Sequence, residues 1–279
     1  MATETQPNRL RNAYCGMQDS FPERWWTVQR GPGPVLATAI HDGHELRPEI
    51  GAAMALSDED RLREEDPFTG QAILDVPTHI IAHRSRFEFD LNRGPDEAIY
   101  RTPEQSWGLK VWKGECDEAM CAESLDLHAS YYRMLGGLLD EIAARHRRFV
   151  LIDVHSYNHR REGPDASPSA QADAPDINIG TFSMPRDDWA FLLDPLIEAM
   201  AGFDFNGRKL DVRENIAFQG RGEQTRFVHE RYPGRGCAIA LEFKKFFMDE
   251  WSGEPDPAEL EAMRRFIAFT AEKARELLR

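Results

Sequence analysis

The chain has 279 residues, 41% of them hydrophobic and 29% charged, with a net charge of -14. That length can bury a substantial core, and the composition is that of a folded globular protein. The acidic balance argues against general binding to nucleic acid or anionic membranes, which depends on fields of Lys and Arg. An anionic small molecule is still compatible, because a local group of arginines can reverse the potential inside a cleft.

No apolar run approaches the ~20 residues of a membrane span, and residues 1–10 are polar without a signal-like core. The four cysteines, Cys15, Cys116, Cys121 and Cys237, contain no CxxC pair. This pattern suits a reducing cytoplasm, which is the expected location. Cys116 and Cys121 are close enough in sequence to bridge or bind metal, but they read more simply as unpaired loop thiols.

In chain order, residues 1–30 read as an N-terminal extension in which Trp25-Trp26-Thr27-Val28 forms an edge strand or an aromatic plug. Val35-Leu36-Ala37-Thr38-Ala39-Ile40 is an apolar run between Gly31-Pro32-Gly33-Pro34 and a turn, His41-Asp42-Gly43-His44-Glu45. It reads as an interior strand. Residues 48–63 read as a helix restarted by capping chemistry at Ser57, and residues 78–82 and 86–91 as strands, the second alternating apolar and charged. Residues 100–121 form an irregular excursion. Residues 124–147 are a long helix with an apolar stripe and a basic C-terminal end.

Residues 149–154 form a second apolar strand that delivers His155 into a turn. Residues 160–176 read as a mobile loop, 177–182 as a strand, 187–200 as a helix and 209–213 as a strand. Residues 219–229 read as a flexible basic loop. Residues 237–243 are a third apolar strand reaching Glu242, and an amphipathic helix closes the chain from residue 257. The alternation of strands and helices predicts one domain, residues 1–279, of the α/β class, with a sheet covered on both faces.

Three apolar strands therefore end in groups that bind zinc and move protons: His41 with His44, His155, and Glu242. Catalytic zinc takes three protein ligands and leaves one position for water, whose pKa it lowers to ~7. The spacing His41-x-x-His44 suits a tight turn, and Glu45 and Asp66 are rival oxygen ligands. Glu242 reads either as the group that relays the proton or as a carboxylate paired with Lys244 or Lys245. Arg86, Arg93 and Arg226 are candidates for holding a substrate carboxylate, because guanidinium offers a bidentate fork. Asn92 stands beside Arg93 just after the 86–91 segment.

His41-x-Gly43, Ser85-Arg86-Phe87-Glu88-Phe89-Asp90-Leu91-Asn92-Arg93, Leu151-Ile152-Asp153-Val154-His155-Ser156 and Leu241-Glu242-Phe243 with Phe247-Met248-Asp249-Glu250 resemble, in order, the motifs of the N-formylglutamate amidohydrolase family. That family is similar in turn to zinc carboxypeptidases and aspartoacylases. The resemblance spans roughly residues 35–250. The chain departs from the pattern at Ile40, Asp42 and Pro67, and in a reduced Thr225-Arg226-Phe227 element.

The resemblance implies a three-layer, mixed-sheet hydrolase fold of the zinc-carboxypeptidase kind, one zinc per chain, and hydrolysis of a small anionic N-acyl amino acid. Carried over, His41 and His155 would be zinc ligands, with His44 or Asp66 as the third. Glu242 would be the general base and acid, and Arg93 a clamp or carbonyl polariser. A peptidase acting on short peptides through the same metal site is the first alternative. A binding or regulatory protein with a degenerate site is the second.

Overall fold

The computed structural model describes residues 25–279. Seven strands, β1 (Trp26–Gln29), β2 (Val35–Ala39), β3 (His79–Ala82), β4 (Phe149–Tyr157), β5 (Ile177–Gly180), β6 (Val212–Glu214) and β7 (Gly236–Lys244), form one mixed sheet in the order β1-β3-β2-β4-β7-β5-β6. The central strands β2, β4 and β7 run parallel. β1 pairs antiparallel with β3, and β5 pairs antiparallel with β7. From β2 the chain moves first outward to β3 and then, through a long helix, to β4 on the other side. The parallel ends of β2 and β4 therefore mark a switch point, where open α/β sheets keep their sites.

Among the described residues, seven α-helices accompany the sheet: α1 (Pro48–Ala53), α2 (Asp58–Glu64), α3 (Thr69–Ala72), α4 (Glu118–Arg145), α5 (Ala190–Gly202), α6 (Glu223–Arg231) and α7 (Pro257–Leu277). Every residue of β2, β4 and β7 is buried, and alternate side chains enter two separate cores. Val35, Ala37, Ala39, Ile152 and Val154 meet α3, α5 and α7 on one face, whereas Leu36, Ile40, Phe149 and Leu151 meet α4 and α6 on the other. This is why the strands read as unbroken apolar runs: both faces are covered. Each fully buried Leu or Ile contributes roughly 1.5–3 kcal/mol. α4 starts where the Asp117 side chain accepts the N–H groups of Ala119 and Met120, each at 3.0 Å.

Several elements differ from the sequence reading. The helix expected over residues 48–63 is two helices, because Met54 leaves the helical region and Ser57 caps α2 afresh. Residues 86–88 form a turn and 89–90 are irregular, so the segment is not a strand. Their alternation is real, but Glu88 and Asp90 are as buried as Phe87, Phe89 and Leu91, since Arg47 and Arg86 neutralise them internally. β4 continues through His155 to Tyr157, so that histidine lies within the strand. Part of the loop expected over residues 219–229 is α6, and its buried face carries Gln224, Thr225 and His229, too polar to register as an apolar stripe. Cys116 and Cys121 are joined by a disulfide, not free. Trp26–Gln29 is an edge strand, while the rest of the expected extension, residues 1–24, lies outside the described residues. No helix among the described residues is long and apolar enough to cross a membrane.

Candidate metal centre and active site

β2 ends two residues before His41, and the chain then turns through Gly43. A Cβ at Gly43 would fall 2.1 Å from the carbonyl carbon of His83, so only glycine lets this turn lie against the 83–85 segment. The turn is tied down where Glu45 N–H donates to His83 O at 2.9 Å. Asp66 comes from the loop between α2 and α3, and its N–H donates to His41 O at 2.9 Å. His155 comes from β4. In this way β2, β4 and the α2–α3 loop bring together three buried side chains whose potential ligand atoms lie within 4.8 Å of one another.

The inward atoms are Nδ1 of both histidines and Oδ2 of Asp66. His155 Nδ1 is 3.1 Å from Asp66 Oδ2 and 3.2 Å from His41 Nδ1, and His41 Nδ1 is 3.3 Å from Asp66 Oδ2. The outward nitrogens each face a second carboxylate. His41 Nε2 lies 2.6 Å from Asp90 Oδ1, and His155 Nε2 lies 2.9 Å from Asp153 Oδ2, close but not in line for a hydrogen bond. A carboxylate behind each ring orients it and leaves the other nitrogen's lone pair for a cation. Ser156 Oγ donates to the remaining oxygen, Asp66 Oδ1, at 3.1 Å.

The electrostatics agree with the geometry. Burial alone would raise the Asp66 carboxyl, but the contacts from His155 and His41 outweigh it and hold the group far below the usual carboxylate range. Burial opposes a charged His155, yet Asp153, Glu242 and Asp66 push its pKa well above the ordinary value. A metal binds the deprotonated ring, so it would displace that proton, and the same carboxylates that attract the proton attract the cation. Two imidazoles and one carboxylate are a donor set suited to zinc, so the residues fit a metal of that kind.

Glu242 stands across from His155 in the β4–β7 register. Burial, with Asp66 and Asp153 nearby, pushes its carboxyl up to about 7, while His155 and His41 pull the other way. It makes no hydrogen bond or ion pair with the described residues and lines the cleft beside His41, Asp66 and His155. The cleft is small, with a cavity volume of about 100 Å³. A larger neighbouring cleft over residues 246–257 shares only Lys245 with it, and its Asp249 and Asp256 are engaged in capping backbone turns.

The remaining expected residues divide. Arg86 and Asn92 line the cleft. Arg86 is committed to Asp90 at 2.9 Å, and the Oδ1 of Asn92 is buried without a hydrogen-bond partner. His44 lies outside the metal group: its Nδ1 faces Glu65 Oε2 at 2.5 Å, and its Nε2 accepts from Arg61 at 3.0 Å, so both ring nitrogens are engaged. Arg93 is outside the cleft lining, donating to Gln105 O at 3.0 Å and lying over the Tyr100 ring. Arg226 pairs with Glu223 and Glu230 on α6, away from the cleft.

Asp153, Arg161 and Lys245 stand at the site without being among the site residues expected from the sequence, where Lys245 enters only as a possible partner of Glu242. Asp153 was legible, because two residues before His155 on a strand is the same face. Arg161 comes from the 158–176 loop and forks onto Glu64 at 3.2 Å. Lys245 is buried, with Nζ donating to Glu65 O at 2.7 Å and also to Arg63 O. Nothing local in the sequence distinguishes either residue from a surface cation.

The family model described as FGase, N-formylglutamate amidohydrolase, matches residues 33–248. Among solved structures, the N-formylglutamate amidohydrolase of Ralstonia eutropha JMP134 superposes with a TM-score of 0.69 at 16% identity, covering 90% of this chain and 97% of that one. A gene product of Agrobacterium tumefaciens superposes with a TM-score of 0.65 at 18% identity, covering 90% and 95% respectively. No curated protein matches the chain. With more than three quarters of its length matched by the family model, and the fold shared with a solved structure of that name, the chain belongs to the N-formylglutamate amidohydrolase family of hydrolases.

Proposed function

We propose that this protein hydrolyses the amide of an N-formyl or other N-acyl amino acid, with one zinc ion held by His41, Asp66 and His155. The observation that carries this reading is the buried His-Asp-His group with an unpaired glutamate beside it. When bound, zinc would acidify water and polarise the scissile carbonyl. Glu242 takes the proton from the attacking water and delivers it to the departing nitrogen, a task open to it because no side chain of the described residues pairs with it in the cleft. Asp90 and Asp153 hold the two imidazoles in place.

The cleft lining carries three carboxylates (Glu64, Asp66, Glu242) and three cations (Arg86, Arg161, Lys245). A divalent ion would therefore make the cleft net positive in a protein of charge -14, which favours an anionic substrate. Arg86 is spent on Asp90. The substrate carboxylate then falls to Lys245, which has a third N–H beyond its two carbonyl partners, and to Arg161, which pairs with Glu64 through its two terminal nitrogens but keeps further N–H groups, whereas all three nitrogens of Arg86 are engaged. Trp107 and Phe218, 42% and 39% exposed, stand at the mouth and leave short peptides as the competing substrate class.

A panel of N-formyl amino acids, N-acetyl amino acids and short peptides, assayed with and without added zinc, tests the proposal. Zinc-dependent release of a free amino acid from an N-acyl member is expected. Failure to take up zinc, with no turnover of any member, would overturn it.

A further inference from the structure

Beneath the metal group runs a file of polar side chains that the chemistry above does not use. Thr38 of β2 and Asp153 of β4 are neighbours in the parallel register, both 0% exposed, on the face covered by α4 and α6. Gln224 reaches them from α6, and Tyr131 reaches Gln224 from α4, again each 0% exposed. Tyr131 O–H donates to Gln224 Oε1 at 2.6 Å, Gln224 Nε2 donates to Thr38 Oγ1 at 2.7 Å, and Thr38 Oγ1 donates to Asp153 Oδ1 at 2.8 Å. Around them the packing is apolar, with Leu36, Leu151, Leu135 and Val228 in the same core.

We propose that Tyr131, Gln224 and Thr38 form a directional hydrogen-bond chain that sets the Asp153 carboxylate and, through it, presents Nδ1 of His155 to the metal. This rests on the reading of His155 as a ligand, and the three are positioning residues, since none lines the cleft.

The direction follows from the donor and acceptor inventory. A carboxylate oxygen accepts only, so the Thr38 hydroxyl must spend its single proton on Asp153 Oδ1. Thr38 Oγ1 must then accept from its other neighbour, which fixes the NH₂ end of the Gln224 amide toward it. The amide oxygen is left to face Tyr131, which donates. Reversing Gln224 would set two acceptors against each other at the Thr38–Asp153 contact, in an interior where an unmade hydrogen bond costs about 1–3 kcal/mol. With Oδ1 committed to Thr38, the other oxygen, Oδ2, is left facing His155 Nε2 at 2.9 Å, an electrostatic contact out of line for a hydrogen bond. An N–H on Nε2 leaves the lone pair on Nδ1, the atom facing His41 and Asp66.

Removing a group that contacts a metal ligand directly changes metal affinity by about 10–100-fold, and that range bounds the effect of Thr38, which acts through Asp153. The test measures zinc affinity of purified protein by competition with a chromophoric chelator, in Thr38→Val, Thr38→Ser and Tyr131→Phe variants. Valine keeps the shape and β-branching of threonine without the donor. Thr38→Val is expected to bind zinc about 10–100-fold more weakly, Thr38→Ser within about threefold of the parent, and Tyr131→Phe in between. A purely packing role would lower unfolding stability without moving the affinity of the folded protein, and serine, which loses the methyl group, would not restore it. Zinc binding in Thr38→Val equal to the parent overturns the chain. If Thr38→Val does not fold, unchanged affinity in Tyr131→Phe overturns it. A parent protein that takes up no zinc removes the ligand role of His155 itself, a failure distinct from unchanged affinity in the variants.

Discussion

α6 carries Gln224 to the Thr38–Asp153 pair, and an imidazole ties the helix to β7. His229 Nε2 accepts the N–H of Ala238 at 2.9 Å, and its Nδ1 faces Ser183 Oγ at 3.0 Å. The ring is 9% exposed and must stay neutral, because a proton on Nε2 would confront the Ala238 N–H. Burial pushes its pKa down from 6.5 to about 4, against a small opposing contribution from Ser183. The unfolded chain therefore takes up a proton over a range in which the native protein does not. Stability contributed by His229 is complete above the unfolded pKa and is lost as pH falls toward the folded value. From about pH 7 to about pH 5 the loss works out at about 2 kcal/mol. Urea unfolding of the parent and of His229→Gln across this range isolates the effect, since glutamine can accept the same N–H without titrating and all other groups cancel in the difference. The parent should lose about 2 kcal/mol more than the variant. Parallel pH profiles for the two proteins would refute the reasoning.

Replacing Glu242 by Gln should lower kcat by about 10²–10⁴-fold while zinc content is unchanged, and retained turnover would remove Glu242 from proton transfer. Arg161→Met should raise KM for an anionic N-acyl amino acid by about 10-fold or more, with kcat little altered, as expected for a charged hydrogen bond of about 1.5–3 kcal/mol; steady-state kinetics against an uncharged amide analogue checks it. Gly43→Ala should destabilise the protein by about 1–3 kcal/mol and weaken zinc binding, because the new Cβ meets backbone at His83, which cannot rotate aside. A normal melting temperature in that variant would show that the His41 turn has slack.

The central architecture was legible because it follows from simple periodicity. Residues 35–40, 149–154 and 237–243 are apolar without a break, as strands buried on both faces must be, and the polar groups that end them converge when the strands lie parallel. The two histidines and Glu242 could be read in this way. The third member of the group could not be chosen, because Asp66 reaches His41 through a loop contact 25 residues along the chain, whereas His44 is only three residues away. What excludes His44 is its capture by Glu65 and Arg61, a tertiary fact. Arg93 and Arg226 lie away from the cleft lining for a similar reason: a guanidinium in a sequence has no partner until the fold supplies one, here Asp90 with Gln105 O and the two glutamates of α6. α6 itself was hidden because a helix that buries Gln224, Thr225 and His229 presents polar groups where periodicity looks for apolar ones.

The central claim is that His41, Asp66 and His155 form one zinc site. Metal analysis of the purified parent, paired with a crystal structure of zinc-loaded protein, tests it most directly. One zinc per chain is expected, bonded to Nδ1 of His41, Nδ1 of His155 and Oδ2 of Asp66 at about 2.0–2.2 Å, with loss of that zinc in Asp66→Ala but not in His44→Ala. Zinc retained without Asp66, or bound through His44, would contradict it.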